Sequence, residues 1–381
     1  MKRSINVVAC LLFVTTLFFP ALCFAGWDSY RWPIFRGDRG LTGVARGNLP
    51  DDMRLLWKFK TDDAIISSPV VDKDTVYIGS TDGKVYALRL KNGKKIWEVD
   101  TGTAVEAPPL ILNSTIYVGS LDGLFYAIDS RDGTVRWTYE TAFRIAGSAN
   151  WVSSVSGKGY WILIGSYDST LHCVDAQTGK RVWYYETDNF INGAPSIYLL
   201  KERQVVFGGC DEHLHVVSIE KGSLSAKIHA GSYIAASAAI YKGFAYLGHY
   251  GNRLISVDLE NRSIIWEYGD DEGGAFFSSP AVNEDRVIVG SKDWKVHCIS
   301  RENGRRIWTF TTGGEVDSSP VICGDKVVFG SADGFLYLLS LEDGAELWSY
   351  EIGEGITSSP AVANGMVIIG ADDGRVYGFG K

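Results

Sequence analysis

From about residue 54 onward the chain alternates short apolar runs with polar, glycine-bearing turns. Residues 67–97, SSPVVDKDTVYIGSTDGKVYALRLKNGKKIW, hold an apolar run, a turn, the alternating run TVYIGS, Asp82-Gly83, the run KVYAL, Asn92-Gly93 and KKIW. Period-two alternation over such short runs predicts β-strands, and Asp-Gly and Asn-Gly pairs suit tight hairpins because they tolerate positive φ. Each unit therefore predicts four short antiparallel strands. The same pattern returns around Gly79, Gly119, Gly165, Gly208, Gly248, Gly290, Gly330 and Gly370, at intervals of 40 to 46 residues. That spacing is the period of a propeller blade.

A tryptophan closes most units: Trp57, Trp97, Trp137, Trp183, Trp266, Trp308 and Trp348, with Lys227 near that place in the degenerate unit. The last unit, DDGRVYGFGK (372–381), stops before a tryptophan strand, whereas LLWKFKT (55–61) is a tryptophan strand without a preceding unit. Pairing the two closes a ring and leaves no open terminal blade. The expectation is an all-β chain whose residues 51–381 form one eight-bladed β-propeller of four-stranded antiparallel blades. Ser-Ser-Pro recurs at 67–69, 278–280, 318–320 and 358–360 and marks blade starts. Serine hydroxyls satisfy backbone groups at the bend, and proline is tolerated at a strand's first residue. The recurrent Asp before Gly at Asp82, Asp122, Asp333 and Asp373 reads as turn chemistry.

Outside the repeat, Lys2-Arg3, the apolar stretch 5–19 and Cys23-Phe24-Ala25 read as a signal peptide over 1–25, cleaved after Ala25. Lipidation at Cys23 is the alternative, with Leu22 standing where a small residue is expected. Residues 26–50 form an N-terminal arm. Losing Lys2 and Arg3 takes the formal charge from −8 to −10. With no basic stripe, such a chain repels phosphate backbones, and nucleic acid is not an expected partner. No other segment reaches the length of a membrane span. The expectation is a periplasmic or secreted, monomeric propeller.

The segments AIDSRDGTVRW (127–137), CVDAQTGKRVW (173–183) and VYALRLKNGKKIW (85–97) resemble the repeat of pyrroloquinoline-quinone (PQQ) enzymes, Ala-x-Asp-x-x-Thr-Gly-x-x-x-Trp. The resemblance covers nearly the whole chain after residue 50. It implies that the seven tryptophans stack between neighbouring blades. The family divides in function: some members are quinoprotein alcohol dehydrogenases with PQQ and Ca²⁺ in a central funnel, others are cofactor-free scaffolds. In size and organisation this chain is similar to the BamB family of outer-membrane assembly factors. It has no adjacent cysteine pair of the kind the dehydrogenases carry, and its blades are near minimal length.

Counting three residues back from the Pro69 position places Ile66, Glu106, Ala146, Asn192, Ala235, Phe277, Asp317 and Thr357 at one channel mouth. Glu106 and Asn192 resemble the Glu and Asn that hold Ca²⁺ in the quinoproteins, but Ala235 stands where those enzymes place their general base. Glu106, Asn192, Asp317, Thr357 and Arg144 are the ligand candidates at this mouth, the first two also as weak Ca²⁺ candidates. His213, His215 and Asp211 suggest a metal, yet His215 fills the slot held elsewhere by Tyr86, Tyr126, His172, His297, Tyr337 and Tyr377, a packing position. Among the cysteines outside the signal, only Cys173–Cys210 and Cys298–Cys323 join neighbouring blades; four free buried thiols are the other reading.

Two partner surfaces follow. The arm stretch YRWPIFRGDRGLTGV (30–44) either offers Arg36 to a partner or packs across the propeller on Trp32 and Phe35. The largest insertion, 144–161, carries Trp151 and Trp161 as aromatic anchors for an envelope protein or peptide. The function expected is non-catalytic binding without a cofactor; the alternative is a small oxidoreductase using PQQ and Ca²⁺.

Overall fold

The structure, a computed structural model, describes residues 31–200, 202–269 and 273–381. The signal segment, the cleavage at Ala25 and lipidation at Cys23 lie outside these residues. Among the described residues there is no helix, and eight antiparallel blades of four strands follow one another, two of them extended by a strand of the arm. Blade 1 comprises Val70–Asp72, Thr75–Gly79, Lys84–Arg89 and Lys95–Asp100, ordered from the channel outward. Blades 2 to 7 repeat this over 110–140, 150–186, 196–229, 239–268, 281–311 and 321–351. Blade 8 takes its first three strands from 361–380 and its outer strand from Arg54–Lys60.

Closure is as the chain ends require. Arg54–Lys60 pairs antiparallel with Arg375–Gly380, and Trp57 lies opposite Gly378. A Cβ on Gly378 would sit 2.3 Å from the Trp57 ring, so only glycine leaves room for it there. Six tryptophans dock alike on the following blade. The indole N–H of Trp57, Trp97, Trp137, Trp183, Trp266 and Trp308 donates to the carbonyls of Leu90, Ser130, Ala176, Ile219, Arg301 and Leu341. The tryptophan ring lies on a turn glycine of that blade, as Trp57 does on Gly93. Trp348 faces the seam where the chain begins and ends; it packs edge-on against Phe379 instead.

Each blade buries its two middle strands almost completely. The seams carry a second repeated contact. Tyr139, Tyr185 and Tyr268, on outer strands, pair with His172, His215 and His297 of the next blade, and each histidine bonds an aspartate: Asp168, Asp211 or Asp293. His215 also stacks on Phe207 at 5.2 Å. The histidine slot is a packing position, as its repeat register implied.

The arm makes the larger addition. Strand Arg31–Trp32 pairs with the inner strand of blade 1, and Val44–Ala45 runs parallel to that of blade 7. Between them the arm crosses the channel end. The inner-strand amides of Ile111, Ile197, Ile240, Val282 and Ile322 donate to the carbonyls of Pro33, Arg39, Gly40, Thr42 and Gly43. These amides occupy one repeat position, two residues after the blade-start proline or its counterpart Ala238, at the axial edge of each blade. An unpaired buried N–H is costly, so the arm caps five strands at once. Trp32 is buried and Phe35 half-buried. Arg36, a candidate for partner contact, is instead buried at 1% exposure; its Nη1 donates to Ser319 O at 3.0 Å and its Nη2 to Pro320 O.

Candidate functional site

The register places the channel mouth opposite the arm. Connections from each outer strand to the next inner strand lie on one face with the second-to-third-strand hairpins. The amides of Tyr167, Cys210, Tyr250 and Lys292 in the hairpins donate to Arg144, Phe190, Tyr233 and Ala275 in the connections. At the centre of this face is a cup of about 180 Å³. All eight residues placed at the mouth by the repeat line it, and Phe35 of the arm reaches it from the closed end. The channel is therefore a blind cup with a single opening.

Ser-Ser-Pro builds its wall. The first serine holds its own blade: the amides of Gly79, Gly290, Gly330 and Gly370 donate to the hydroxyls of Ser67, Ser278, Ser318 and Ser358. The second serine joins blades. The amides of Ala194, Ser237, Ser279, Ser319 and Ser359 donate in turn to the hydroxyls of Ser237, Ser279, Ser319, Ser359 and Ser68, at 2.8 to 3.1 Å. This belt runs from blade 4 through blade 8 into blade 1 and crosses the ring closure. Blade 2 has Pro108 at the corresponding place.

The polar mouth residues are brought together, each with its own environment. Asn192 Oδ1 accepts from the Tyr167 hydroxyl at 2.7 Å. Arg144, exposed, lies over the Tyr167 ring at 4.0 Å rather than in the cup. Thr357 donates to Asp372 at 3.1 Å. Asp317 Oδ2 accepts from Lys292, which also bonds Glu315 and lies over Phe277 at 5.1 Å. Burial pulls the Lys292 ammonium down, but its bonds to Asp317 and Glu315 carry it above its ordinary value. No hydrogen bond or ion pair engages the Glu106 carboxylate among the described residues.

Glu106 and Asn192 both line the cup, but the set does not fit Ca²⁺ with PQQ. Calcium takes six or more oxygens. Ala235 supplies none, Asp317 is held by Lys292, and the described residues include no group of three or more His, Cys, Asp or Glu placed to hold a metal. The cup is also smaller than the roughly 300–1,000 Å³ of ligand pockets for drug-sized molecules.

The insertion of blade 3 does not present its tryptophans as exposed anchors. Trp151 is half-buried, packs against Tyr160 at 5.2 Å and lies under the Arg39 guanidinium at 4.6 Å, so it holds the arm. Trp161 is half-buried against the hydrophobic cluster that holds Leu163 and Ile197. The four cysteines are unpaired, and Cys173, Cys298 and Cys323 are buried.

Aromatic residues instead gather on the mouth face of blades 3 to 6. Phe143 and Trp294 are each 53% exposed, and Phe190, Tyr233 and Tyr250 are also exposed. Phe190 stacks with Phe143 at 6.5 Å and with Tyr167 at 5.1 Å; Tyr250 contacts Tyr233 at 6.3 Å and Phe277 at 4.3 Å. Sequence reasoning missed this arc. Its signal was a bulky ring five or six residues before the blade start in blades 3, 4 and 5, where blades 7, 8, 1 and 2 have Glu315, Gly355, Ala64 and Ala104.

Fold, docking tryptophans and blade repeat define an eight-bladed propeller of the PQQ-repeat class. The sequence profile of the family described as outer membrane protein assembly factor BamB matches residues 45–158, 145–293 and 292–381, and the chain belongs to that family. No curated protein matches the sequence. Among solved structures, BamB from Moraxella catarrhalis is 20% identical with a TM-score of 0.72, covering 87% of this chain and 98% of its own. A europium-containing methanol dehydrogenase is 14% identical with a TM-score of 0.77, covering 93% of this chain and 99% of its own. The quinohemoprotein alcohol dehydrogenase from Comamonas testosteroni is also 14% identical, with a TM-score of 0.77 over 92% of this chain and 81% of its own. At such identities these likenesses establish the fold, which scaffolds and dehydrogenases share.

Proposed function

We propose that this chain is a non-catalytic docking scaffold of the cell envelope, exported by its N-terminal signal and acting with a protein partner in outer-membrane protein assembly. The observation that carries this is the aromatic arc of blades 3 to 6. Exposed rings on a rigid sheet scaffold, in contact as Phe143–Phe190 and Tyr233–Tyr250 with Trp294 on the same face, are the composition of an interface core, and exposed apolar surface gathered on one face marks an interaction site. Arg144, with no carboxylate partner among the described residues, adds a charge that selects a partner carrying acidic groups beside its apolar ones. The family's name supplies the assembly context.

Two measurements test this reading. Capture of partners from native envelopes is expected to fail for the triple substitution Phe143→Ala, Phe190→Ala and Trp294→Ala while the melting temperature stays near that of the parent chain. Undiminished recovery would remove the arc from the account. Titration with PQQ and Ca²⁺ is expected to leave no quinone absorbance co-eluting with the protein; retained quinone, followed by dye reduction with alcohols, would replace the scaffold with an oxidoreductase.

A further inference from the structure

The cup is chemically polarised along its depth. Glu106 and Asp317 stand at the mouth, and the second serines of the belt follow two residues further along the chain, towards the arm end. At the mouth, the Glu106 carboxylate has no partner among the described residues, and Asp317 Oδ1 is buried with no hydrogen bond. Deeper, Ser68, Ser237, Ser279, Ser319 and Ser359 are only 4–6% exposed. Each accepts a neighbouring blade's amide, yet none donates its own proton to a protein acceptor among the described residues. A serine hydroxyl carries one donor besides its acceptor sites, so each of these five keeps a donor that no protein group among the described residues takes. Beneath them the buried Arg36 guanidinium rests on the Ser319 carbonyl.

The outer end therefore offers the Glu106 carboxylate and the free Oδ1 of Asp317, whose Oδ2 is held by Lys292; the inner end offers hydroxyl donors above a buried cation. We propose that the cup binds a small α-amino acid as its zwitterion, with the ammonium on Glu106 and Asp317 and the carboxylate on the serine hydroxyls. A simple amine would leave the serine hydroxyls unengaged, and a simple carboxylate would leave Glu106 unpaired. An α-amino acid spans about 3 Å from nitrogen to carboxylate oxygen. A charge-assisted hydrogen bond of about 2.8 Å at either end extends its reach from the mouth carboxylates towards the serines. The half-buried rings of Phe277 and Phe35 supply apolar wall for a short side chain. This site is independent of the docking arc and of any cofactor.

Isothermal titration of the full exported chain with L-alanine, and with methylamine and acetate as its two halves, tests the proposal. L-Alanine is expected to bind with a Kd of about 1 mM or tighter, at least about tenfold better than either half. Glu106→Gln, which removes a charge with no structural partner, is expected to weaken alanine at least about fivefold and leave acetate unchanged. Ser279→Ala is expected to weaken alanine and leave methylamine unchanged; should it unfold, the Glu106→Gln comparison decides alone. Absence of alanine binding at about 10 mM, equal binding of methylamine, or indifference to Glu106→Gln would each overturn the assignment.

Discussion

Replacing Arg36 by alanine removes the guanidinium that ties the arm to blade 7. Two carbonyls, Ser319 O and Pro320 O, lose charged donors, and a side chain 1% exposed leaves a cavity behind. Hydrogen bonds to a charged group are worth about 1.5–3 kcal/mol each, against which stands the desolvation cost of the buried charge. Burial pulls the Arg36 guanidinium down to about 9, so that cost is substantial. The net loss expected is about 3 kcal/mol, near 4 °C in melting temperature for a chain of this size. Arg36→Met keeps most of the volume and loses only the bonds, so it is expected to cost about half as much. The arm also makes a local statement. Its carbonyls cap the amides of Ile111, Ile197, Ile240, Val282 and Ile322, so these five, far apart in sequence, are expected to open as one unit. Hydrogen exchange followed by mass spectrometry on inner-strand peptides reads this directly. In Arg36→Ala all five are expected to exchange faster by a common factor, with the second and third strands unchanged. Independent exchange at the five positions, or a melting temperature within about 1 °C of the parent, would refute the reasoning.

Four further outcomes follow from the packing and the charges. Trp57→Ala, which empties the closure seam and loses the bond to Leu90, is expected to cost about 3–5 kcal/mol in urea unfolding. Gly378→Ala, whose new methyl meets the Trp57 ring, is expected to weaken the same seam. His249 is buried and held neutral, pulled down to about 4 by burial and by Arg253, with the Gly251 amide donating to its Nδ1. Its ordinary value is about 6.5, so the unfolded chain takes up the proton first. The stability this histidine contributes is present above about pH 6.5 and is lost as pH falls towards 4, by up to about 3 kcal/mol. His249→Asn, which keeps an acceptor for Gly251, is expected to flatten that part of the melting profile. Burial pushes Cys298 and Cys323 up to about 11 and raises Cys173 and Cys210. A disulfide reagent at neutral pH is therefore expected to react slowly with the half-buried Cys210 and with the other three only on unfolding.

Features written once per blade were legible in the sequence. The propeller, its closure by the Trp57 strand and the ring of mouth residues from Ile66 to Thr357 all follow from a register that eight copies repeat. Features formed across blades were not. Ser-Ser-Pro announces a blade start, but the belt made by its second serines exists only once neighbouring strands converge on the axis. Arg36 and Trp151 looked like contacts because arginine is mostly exposed and a tryptophan in an insertion suggests a binding anchor; the arm instead buries Arg36 at the channel end and sets Arg39 over the half-buried Trp151. The aromatic arc joins Phe143, Phe190, Tyr233 and Trp294 from four blades, and no local pattern links residues so far apart in the chain.

Site-specific photo-crosslinking in the native envelope tests the docking claim most directly. A photoreactive residue replacing Phe190, on the mouth face, is expected to yield a discrete crosslinked protein, whereas one replacing Val155, exposed in the blade 3 insertion on the arm side, is expected to yield none. Crosslinks from Val155 alone, or none from either position, would contradict the account.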